Sequence, residues 1–330
     1  MNLSYPNLRT RRNRTNDWTR KLVAENYLSV NDLIFPIFII EGKNLKIEVE
    51  SMPGTFRYSL DKLKDLSKEV SDLGIPLIAL FPCIDSSLKS NDGKEALNEK
   101  GLIPRAIEIV KNSCPNLGLM TDVALDPYTI HGQDGIINNE GYVLNDKTVE
   151  ILSKQALIQA KFGSDIIAPS DMMDGRIQAI RSILEKNNKK NTKIMAYTAK
   201  YASSFYGPFR DAVGSKMKKN NFNKKNYQMD PANSNEALTE ARLDVSEGAD
   251  MLLIKPGLPY LDIVHKIKEK YKMPTFAYQV SGEYSMLKAA AEKKWLSERE
   301  CVLESLLCFK RAGCDGILSY FSKDVAEWLS

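Results

Sequence analysis

The chain has 330 residues, of which 43% are hydrophobic and 27% are charged, and its formal net charge is +4. This composition is typical of a globular protein with one large domain or two small ones, and the modest charge does not by itself indicate a nucleic-acid partner. No apolar run approaches the roughly 20 residues of a membrane span, so we expect no membrane partner. Five cysteines without a CxxC pair, and a start without the apolar region of a signal peptide, favour a cytoplasmic protein.

Residues 1–30 are predicted to form an N-terminal arm, and residues 31–330 the main domain. The first 21 residues contain six basic residues and one acidic residue, and they show no apolar periodicity. A solvated or disordered arm, a nucleic-acid patch and an arm that packs on a neighbouring subunit are all compatible with this pattern.

Short apolar runs alternate with helical patterns along the main domain. The predicted strands are Leu33–Ile40, Ile75–Pro82, Leu117–Leu125, Asp165–Ser170, Lys193–Lys200, Ala249–Lys255, Thr275–Ser281 and Gly316–Phe321. Continuous apolar runs such as residues 34–40 suit strands that are buried on both faces, as in parallel sheets. Eight strand–helix units predict an α/β fold, a (β/α)8 TIM barrel with an extended N-terminal arm. A doubly wound open sheet is the structural alternative.

Helices are predicted where apolar residues recur at positions i, i+3 and i+4. The clearest are Tyr58–Leu73, Thr148–Phe162, Asn235–Glu247, Tyr260–Tyr271 and Glu298–Ala312. Glycines at 74, 163, 248 and 313 follow four of these helices directly, as C-terminal caps do. No glycine-rich phosphate-binding motif follows a strand, so nucleotide binding is not indicated.

Polar residues gather where the predicted strands end, and few are expected at the opposite strand ends. Active sites of such barrels lie at the carboxyl ends of the strands. The residues at these ends are Asp122, Asp126, Asp134, Ser170, Lys200, Lys255, Ser281 and Tyr320. Separately, each could be a solvated charge or a loop cap, but their common location predicts an active site.

Two lysines, Lys200 and Lys255, each close an apolar run on what we expect to be adjacent strands. Burial disfavours the charged amine and lowers its pKa, which leaves a neutral nucleophile for a carbonyl carbon. Two such lysines predict a site that holds two carbonyl compounds at once. The connection of about thirty residues after Lys200 carries Arg210 and the basic run Lys216–Lys225, and it is predicted to be a lid for a carboxylate substrate.

Four motifs resemble the porphobilinogen synthase family, also called delta-aminolevulinic acid dehydratase. They are the segments at residues 168–175, 198–211, 254–257 and 278–284, and the resemblance runs from about Leu8 to the C-terminus. The resemblance implies a (β/α)8 barrel that joins two 5-aminolevulinate molecules into porphobilinogen. Two waters are lost in this reaction, which belongs to tetrapyrrole (haem) biosynthesis.

The resemblance also implies a role for each site residue. Lys255 would form a Schiff base with the first substrate and Lys200 with the second. Ser281 and Tyr320 would bind the carboxylate of the first substrate. The carboxylate of the second substrate would be bound by Arg210, Lys224 and Gln228. The amine of the second substrate and the transferred protons would lie among Asp122, Asp134 and Ser170.

Metal binding is where the sequence departs from part of this family. Zinc-type members carry three cysteines where this chain has Ala124, Asp126 and Asp134, so we expect no zinc. The chain resembles the zinc-independent branch, in which Mg²⁺ is allosteric, and Glu240 matches its ligand. Asp126 and Asp134 could bind a catalytic ion, but contacts to water and substrate are favoured. The resemblance implies that the arm wraps a neighbouring subunit in a dimer and that four dimers form a homo-octamer.

Two other classes of function remain open from the residues. A Schiff-base lyase such as an aldolase would use the same barrel but needs one lysine rather than two. A nucleic-acid-binding protein would use the basic arm and would need no catalytic site.

Overall fold

The main domain is a closed barrel of parallel strands surrounded by helices. The computed structural model describes residues 4–214 and 223–330. Its strands are β1 (Leu33–Ile40), β2 (Lys46–Glu48), β3 (Phe56–Ser59), β4 (Leu77–Cys83), β5 (Gly118–Val123), β6 (Ile166–Pro169), β7 (Lys193–Lys200), β8 (Met251–Lys255), β9 (Thr275–Gln279) and β10 (Gly316–Ser319). Strand β1 and strands β4 to β10 pair in parallel in chain order, and β10 closes the sheet on β1. The (β/α)8 barrel is therefore confirmed, and the open sheet is wrong.

The barrel strands follow the predicted apolar runs closely. Strands β1 and β7 have the predicted bounds, and the other six barrel strands end within two residues of the prediction. All eight residues of β1 are buried, as a strand covered on both faces requires. The predicted strand Thr275–Ser281 ends earlier, at Gln279, because Ser281 begins a helix.

Helices cover the outside of the barrel. They are α1 (Asp17–Leu22), α2 (Leu60–Asp72), α3 (Leu102–Ser113), α4 (Asn145–Phe162), α5 (Arg176–Lys186), α6 (Gly207–Ala212), α7 (Asn235–Glu247), α8 (Leu261–Tyr271), α9 (Ser281–Glu292), α10 (Glu298–Ala312) and α11 (Ser322–Leu329). The predicted bounds of α7 and α10 are confirmed at both ends. Helix α2 begins two residues later than predicted because β3 occupies the residues before it. No helix in the described part of the chain is long and apolar enough to cross a membrane.

A hairpin formed by β2 and β3 was not predicted from the sequence. Strand β3 pairs with the last three residues of β1, so the hairpin extends the carboxyl end of the barrel. All three residues of β2 are exposed, and most of β3 is half-buried. Neither strand therefore has the continuous apolar run that identifies the barrel strands.

The amino ends of three strands carry a repeated ion-pair arrangement. Each arrangement has an aspartate two residues after a glycine that ends a helix with a φ between 104° and 112°. The aspartates are Asp165, Asp250 and Asp315. Each carboxylate accepts a backbone N–H of the neighbouring strand at 2.7–2.9 Å. Each also pairs with a helix cation: Lys111 with Asp165, Arg181 with Asp250 and Lys268 with Asp315. The expectation of few polar residues at this end is therefore wrong, because these polar residues fasten helices to strands.

The N-terminal arm lies apart from the core. Residues 4–18 are exposed throughout, and helix α1 contains no buried residue. Large apolar side chains of the arm are uncovered in the single chain: Tyr5 is 73% exposed, Trp18 65% and Leu22 75%. Leu28 and Val30, at the end of the arm, do pack against the core, so the uncovered apolar side chains belong to the part of the arm before them.

Candidate active site

The two predicted lysines are the last residues of adjacent strands. Lys200 ends β7, Lys255 ends β8, and the two are direct register partners in the sheet. Both side chains are buried at the carboxyl end of the barrel. The prediction that they lie side by side is confirmed.

Lys255 lies among aromatic rings rather than carboxylates. Its Nζ is 4.7 Å from the ring centre of Phe209 and 4.9–5.4 Å from those of three tyrosines, Tyr197, Tyr206 and Tyr278. Within residues 4–214 and 223–330 no ion pair involves this amine. Burial, and then the positive charge of Lys200, lowers the pKa of Lys255 to about 7, although nearby carboxylates oppose the shift. A large share of the amine is therefore neutral and nucleophilic at neutral pH.

Lys200 has a different, polar environment. Its Nζ lies 3.3 Å from Oδ1 of Asp134 and donates a hydrogen bond to the backbone carbonyl of Ser170. The lysine pair thus combines an amine in an aromatic cage with an amine that has a carboxylate partner. Two amines in such different surroundings can perform different steps of one reaction.

Asp134 is the centre of a buried hydrogen-bond network. Its Oδ2 accepts from Lys224 at 3.0 Å, from the hydroxyl of Tyr227 at 2.5 Å and from Gln228 at 3.5 Å. Burial alone would raise the pKa of Asp134, but the charges of Lys200 and Lys224 and these hydrogen bonds outweigh it and lower the pKa. Asp134 is therefore ionised and compensates two buried lysines.

The pKa values of Asp122 and Asp126 are shifted in the opposite direction, upward. Burial and the charge of Asp126 raise the pKa of Asp122 to about 7, and its Oδ1 has no hydrogen-bond partner among the described residues. Burial also raises the pKa of Asp126, which lies 3.7 Å from the Nζ of Lys224. A carboxyl group with a pKa near neutrality can both donate and accept a proton beside the lysines.

These residues enclose one cavity. It is lined by Asp122, Asp126, Asp134, Ser170, Lys200, Tyr206, Phe209, Arg210, Lys224, Gln228 and Lys255. Its volume of about 20 Å³ has room for about one water molecule. All predicted site residues except Ser281, Tyr320 and Glu240 are thus brought together in a closed conformation.

Ser281 and Tyr320 do not line this cavity. The Ser281 hydroxyl accepts from the backbone N–H of Phe209 at 2.9 Å and donates to the Phe205 carbonyl at 3.3 Å. The Tyr320 hydroxyl bonds to that of Tyr278 at 2.7 Å. Both predicted carboxylate ligands therefore have protein partners in this conformation.

The comparison with known proteins decides the family. The family model described as delta-aminolevulinic acid dehydratase matches residues 7–328. The chain belongs to the delta-aminolevulinic acid dehydratase family. The family protein of Bradyrhizobium diazoefficiens is 53% identical over 98% of this chain and 91% of that protein. That of Synechocystis is 49% identical over 98% of this chain and 99% of that protein.

A solved structure of the same family has the same fold. It is the delta-aminolevulinic acid dehydratase (porphobilinogen synthase) of Toxoplasma gondii in complex with the reaction product porphobilinogen. The TM-score is 0.95 at 50% identity, and the match covers 97% of this chain and 91% of the other. The barrel and the lysine pair are therefore set in a family fold that accommodates porphobilinogen in that relative.

Helix α6 brings Phe209 and Arg210 of this family member over the lysines, and the β2–β3 hairpin holds its end. Arg57 of β3 donates to the carbonyls of Ala212 at 2.6 Å and Asp211 at 2.8 Å. Lys89 donates to the carbonyl of Gly214 at 2.8 Å. Helix α6 belongs to the predicted lid. Residues 216–222 of the basic run Lys216–Lys225, also part of that lid, lie outside the described residues.

Glu240 lies in a second cavity, whose lining includes neither Lys200 nor Lys255 but shares Gln228 with the first cavity. This cavity has a volume of about 220 Å³, and polar residues in its lining include Asn145, Asp174, Glu236 and Glu240, together with the cation Lys225. Burial and the charges of nearby acids raise the pKa of Glu240 to about 7, although Arg176 opposes the shift. Clustered oxygen ligands suit a hard cation that keeps several waters. Among the described residues no group of three or more His, Cys, Asp or Glu side chains converges as a complete metal site.

Sequence reasoning missed the aromatic cage and the network partner of Asp134. Tyr206 and Phe209 stand in the motif at residues 198–211, so their position was visible but their role was not. Tyr227 follows the basic run by two residues and shows no pattern of its own. Tyr206, Phe209 and Tyr227 reach the site from the connection after β7, whose path cannot be derived from periodicity, whereas Tyr197 and Tyr278 of the cage lie on β7 and β9.

Proposed function

We propose that the chain is a porphobilinogen synthase, a lyase that condenses two 5-aminolevulinate molecules into porphobilinogen in tetrapyrrole (haem) biosynthesis. Two waters are lost in the reaction. The observation that carries this proposal is the lysine pair: a buried amine with a pKa near 7 beside a second buried amine on the adjacent strand. The family membership and the porphobilinogen in the Toxoplasma relative support the same substrate.

The aromatic surroundings of Lys255 and the carboxylate beside Lys200 suit the two lysines to bind different substrate molecules. The neutral amine of Lys255 attacks the ketone carbon of the first substrate, and the ketone oxygen leaves as water after proton transfers, giving a Schiff base. Asp122 lies close enough to influence the pKa of Lys255, and its own pKa near 7 suits it to move these protons. Lys200 forms a Schiff base with the second substrate. With both substrates bound side by side, the condensation becomes an intramolecular step.

Carboxylate binding requires a change of conformation. We assign the first carboxylate to Ser281 and Tyr320, and the second to Arg210, Lys224 and Gln228. The hydrogen bond between Ser281 and Phe209 closes the first position, so helix α6 must move before substrate enters. A lid that opens for substrate and closes over it also excludes water during condensation.

The alternative of an aldolase-type lyase is less well supported because its mechanism needs one lysine and gives Lys200 no role. The test is product analysis with purified protein and 5-aminolevulinate. We expect a pyrrole from the wild type and loss of at least about 1,000-fold in rate for Lys255→Met and for Lys200→Met. A non-pyrrole product, or full activity of Lys200→Met, would favour the one-lysine mechanism.

For the metal, we propose that Mg²⁺ stimulates the enzyme from the Glu240 cavity and that the enzyme needs no zinc. The oxygen-rich lining of that cavity supports the first part. The absence of a zinc requirement is supported by the ion pairs of Asp126 and Asp134 with Lys224. These two carboxylates therefore interact with lysines, water and substrate rather than with a metal ion. We expect MgCl₂ to raise the rate and a zinc-selective chelator to leave it unchanged. Inactivation by that chelator, reversed by Zn²⁺ alone, would contradict this proposal.

For the assembly, we propose a homo-octamer of dimers in which residues 1–30 wrap a neighbouring subunit. The exposed apolar side chains of the arm support this role. Deletion of residues 1–30 should reduce the mass measured by light scattering from eight chains to a smaller number. An unchanged mass would exclude the arm from the interface. The cytoplasmic location remains a prediction that rests on the free cysteines.

A further inference from the structure

Glu283 is a fully buried carboxylate that the reaction as described above does not use. It lies in the first turn of α9, and no ion pair involves it within the described residues. Its oxygens accept three backbone N–H groups instead. Oε1 accepts from Leu258 at 2.7 Å, and Oε2 accepts from Val280 at 2.7 Å and Gly257 at 3.4 Å. A buried carboxylate is costly, so its retention calls for a specific role.

The three donors belong to the two segments that carry the first substrate position. Gly257 and Leu258 follow Lys255 at the end of β8, and Val280 immediately precedes Ser281 at the end of β9. One carboxylate therefore bridges the segment after the nucleophilic lysine and the segment that begins with the serine. Burial raises the pKa of Glu283 to about 7, although the three backbone hydrogen bonds oppose the shift. The ionised form makes the stronger backbone hydrogen bonds, so the bridge resists separation of the two segments.

The backbone is closely packed on both sides of the Glu283 bridge, at Gly257 and at Gly282. A Cβ at Gly257 would come within 2.3 Å of the Phe309 ring, and a Cβ at Gly282 within 2.5 Å of the Phe205 carbonyl. Glycine at both positions lets the backbone approach its neighbours this closely. This packing limits the movement of both segments, and the bridge to Glu283 joins them directly.

We propose that Glu283 is a positioning residue that fixes the separation between Lys255 and Ser281. One substrate molecule then spans the two, with its carbonyl carbon at the amine and its carboxylate at the hydroxyl. This inference rests on the proposed function, because it assigns both residues to the same 5-aminolevulinate. It extends that function by naming a residue that contacts neither substrate nor reacting atoms.

A simpler role for Glu283 is to cap helix α9. The Val280 N–H bond forms half of a capping box, and such caps are common at helix starts. A cap, however, needs the Val280 contact and not the contacts to Gly257 and Leu258. The two roles can therefore be separated by variants that break different contacts.

The test compares Glu283→Gln and Glu283→Asp with wild-type full-length enzyme. The glutamine keeps the size but turns an amide N–H₂ toward one of the two segments. The aspartate keeps an acid at the start of the helix but is too short to reach both segments. We expect both variants to lose at least about tenfold in kcat/KM for 5-aminolevulinate and in borohydride-trapped adduct at Lys255. Amide hydrogen exchange at Gly257 and Leu258 should become faster in both.

Asp315→Asn is the matched control, because Asp315 holds the opposite end of β9 through the Thr275 N–H. It should lose stability but keep kcat/KM within twofold of wild type. If Glu283→Asp keeps wild-type kcat/KM and exchange quickens solely at the start of α9, the residue is a cap and the proposal is wrong. If the wild type forms no pyrrole, the proposed function fails, whereas the exchange result still tests the bridge.

Discussion

Replacement of Lys200 by methionine should raise the pKa of Lys255. The two residues are register partners on adjacent strands, which lie about 4.8 Å apart. With an effective dielectric constant of about 20, two charges about 5 Å apart repel by about 3 kcal/mol, which corresponds to about 2 pKa units. Screening of this repulsion by the polar groups around the two amines in the wild type reduces this value. We therefore expect the pKa of Lys255 to rise from about 7 to between about 8 and 9.

The assay is the pH dependence of borohydride trapping of 5-aminolevulinate at Lys255, measured by peptide mass spectrometry. Protonated Lys255 cannot attack the carbonyl, so trapping increases as pH rises through the pKa of the amine. In Lys200→Met the midpoint of this curve should move to higher pH. In the control Lys200→Arg a positive charge remains beside Lys255, and the midpoint should stay near that of the wild type.

Two results would refute this reasoning. A midpoint in Lys200→Met equal to that of the wild type would mean that burial alone sets the pKa of Lys255. An equal shift in Lys200→Arg would mean that packing, and not the charge at position 200, controls the amine.

Variants away from the lysine pair should separate regulation, stability and substrate binding. Glu240→Ala should lose the stimulation by Mg²⁺ and keep the basal rate, because Glu240 does not line the cavity of the lysines; equal stimulation in rate assays would count against the site. Asp250→Ala should lower the free energy of unfolding by about 1–3 kcal/mol in denaturant titrations, because the Ile194 N–H and Arg181 lose their acceptor, with kcat/KM unchanged. Arg57→Ala should raise the KM for 5-aminolevulinate several-fold in steady-state kinetics, because helix α6 loses its hold at the Ala212 carbonyl; a wild-type KM would show that the hairpin does not position the lid.

The barrel could be predicted because its strands are local features. Strand β1 is a continuous apolar run, and β7 and β8 each end in a lysine after such a run. These signals depend on burial of neighbouring residues in the chain, which periodicity records. The side-by-side placement of Lys200 and Lys255 then follows from the regular order of parallel strands.

The rest of the site depends on contacts between distant residues. Glu283 accepts from Leu258, 25 residues away, and Arg57 holds a helix more than 150 residues further along the chain. Such contacts leave no periodic pattern in one sequence. The closed conformation could not be predicted either, because it depends on the packing of Phe209 against Phe38 and Phe81.

The most direct test of the central claim is to locate the substrate on the two lysines. Wild-type enzyme is incubated with 5-aminolevulinate, reduced with borohydride, digested and mapped by mass spectrometry. We predict a reduced substrate adduct on Lys255, and on Lys200 once the second substrate is bound, with none on the surface lysine Lys270. An unmodified Lys255 in enzyme that forms porphobilinogen would contradict the account.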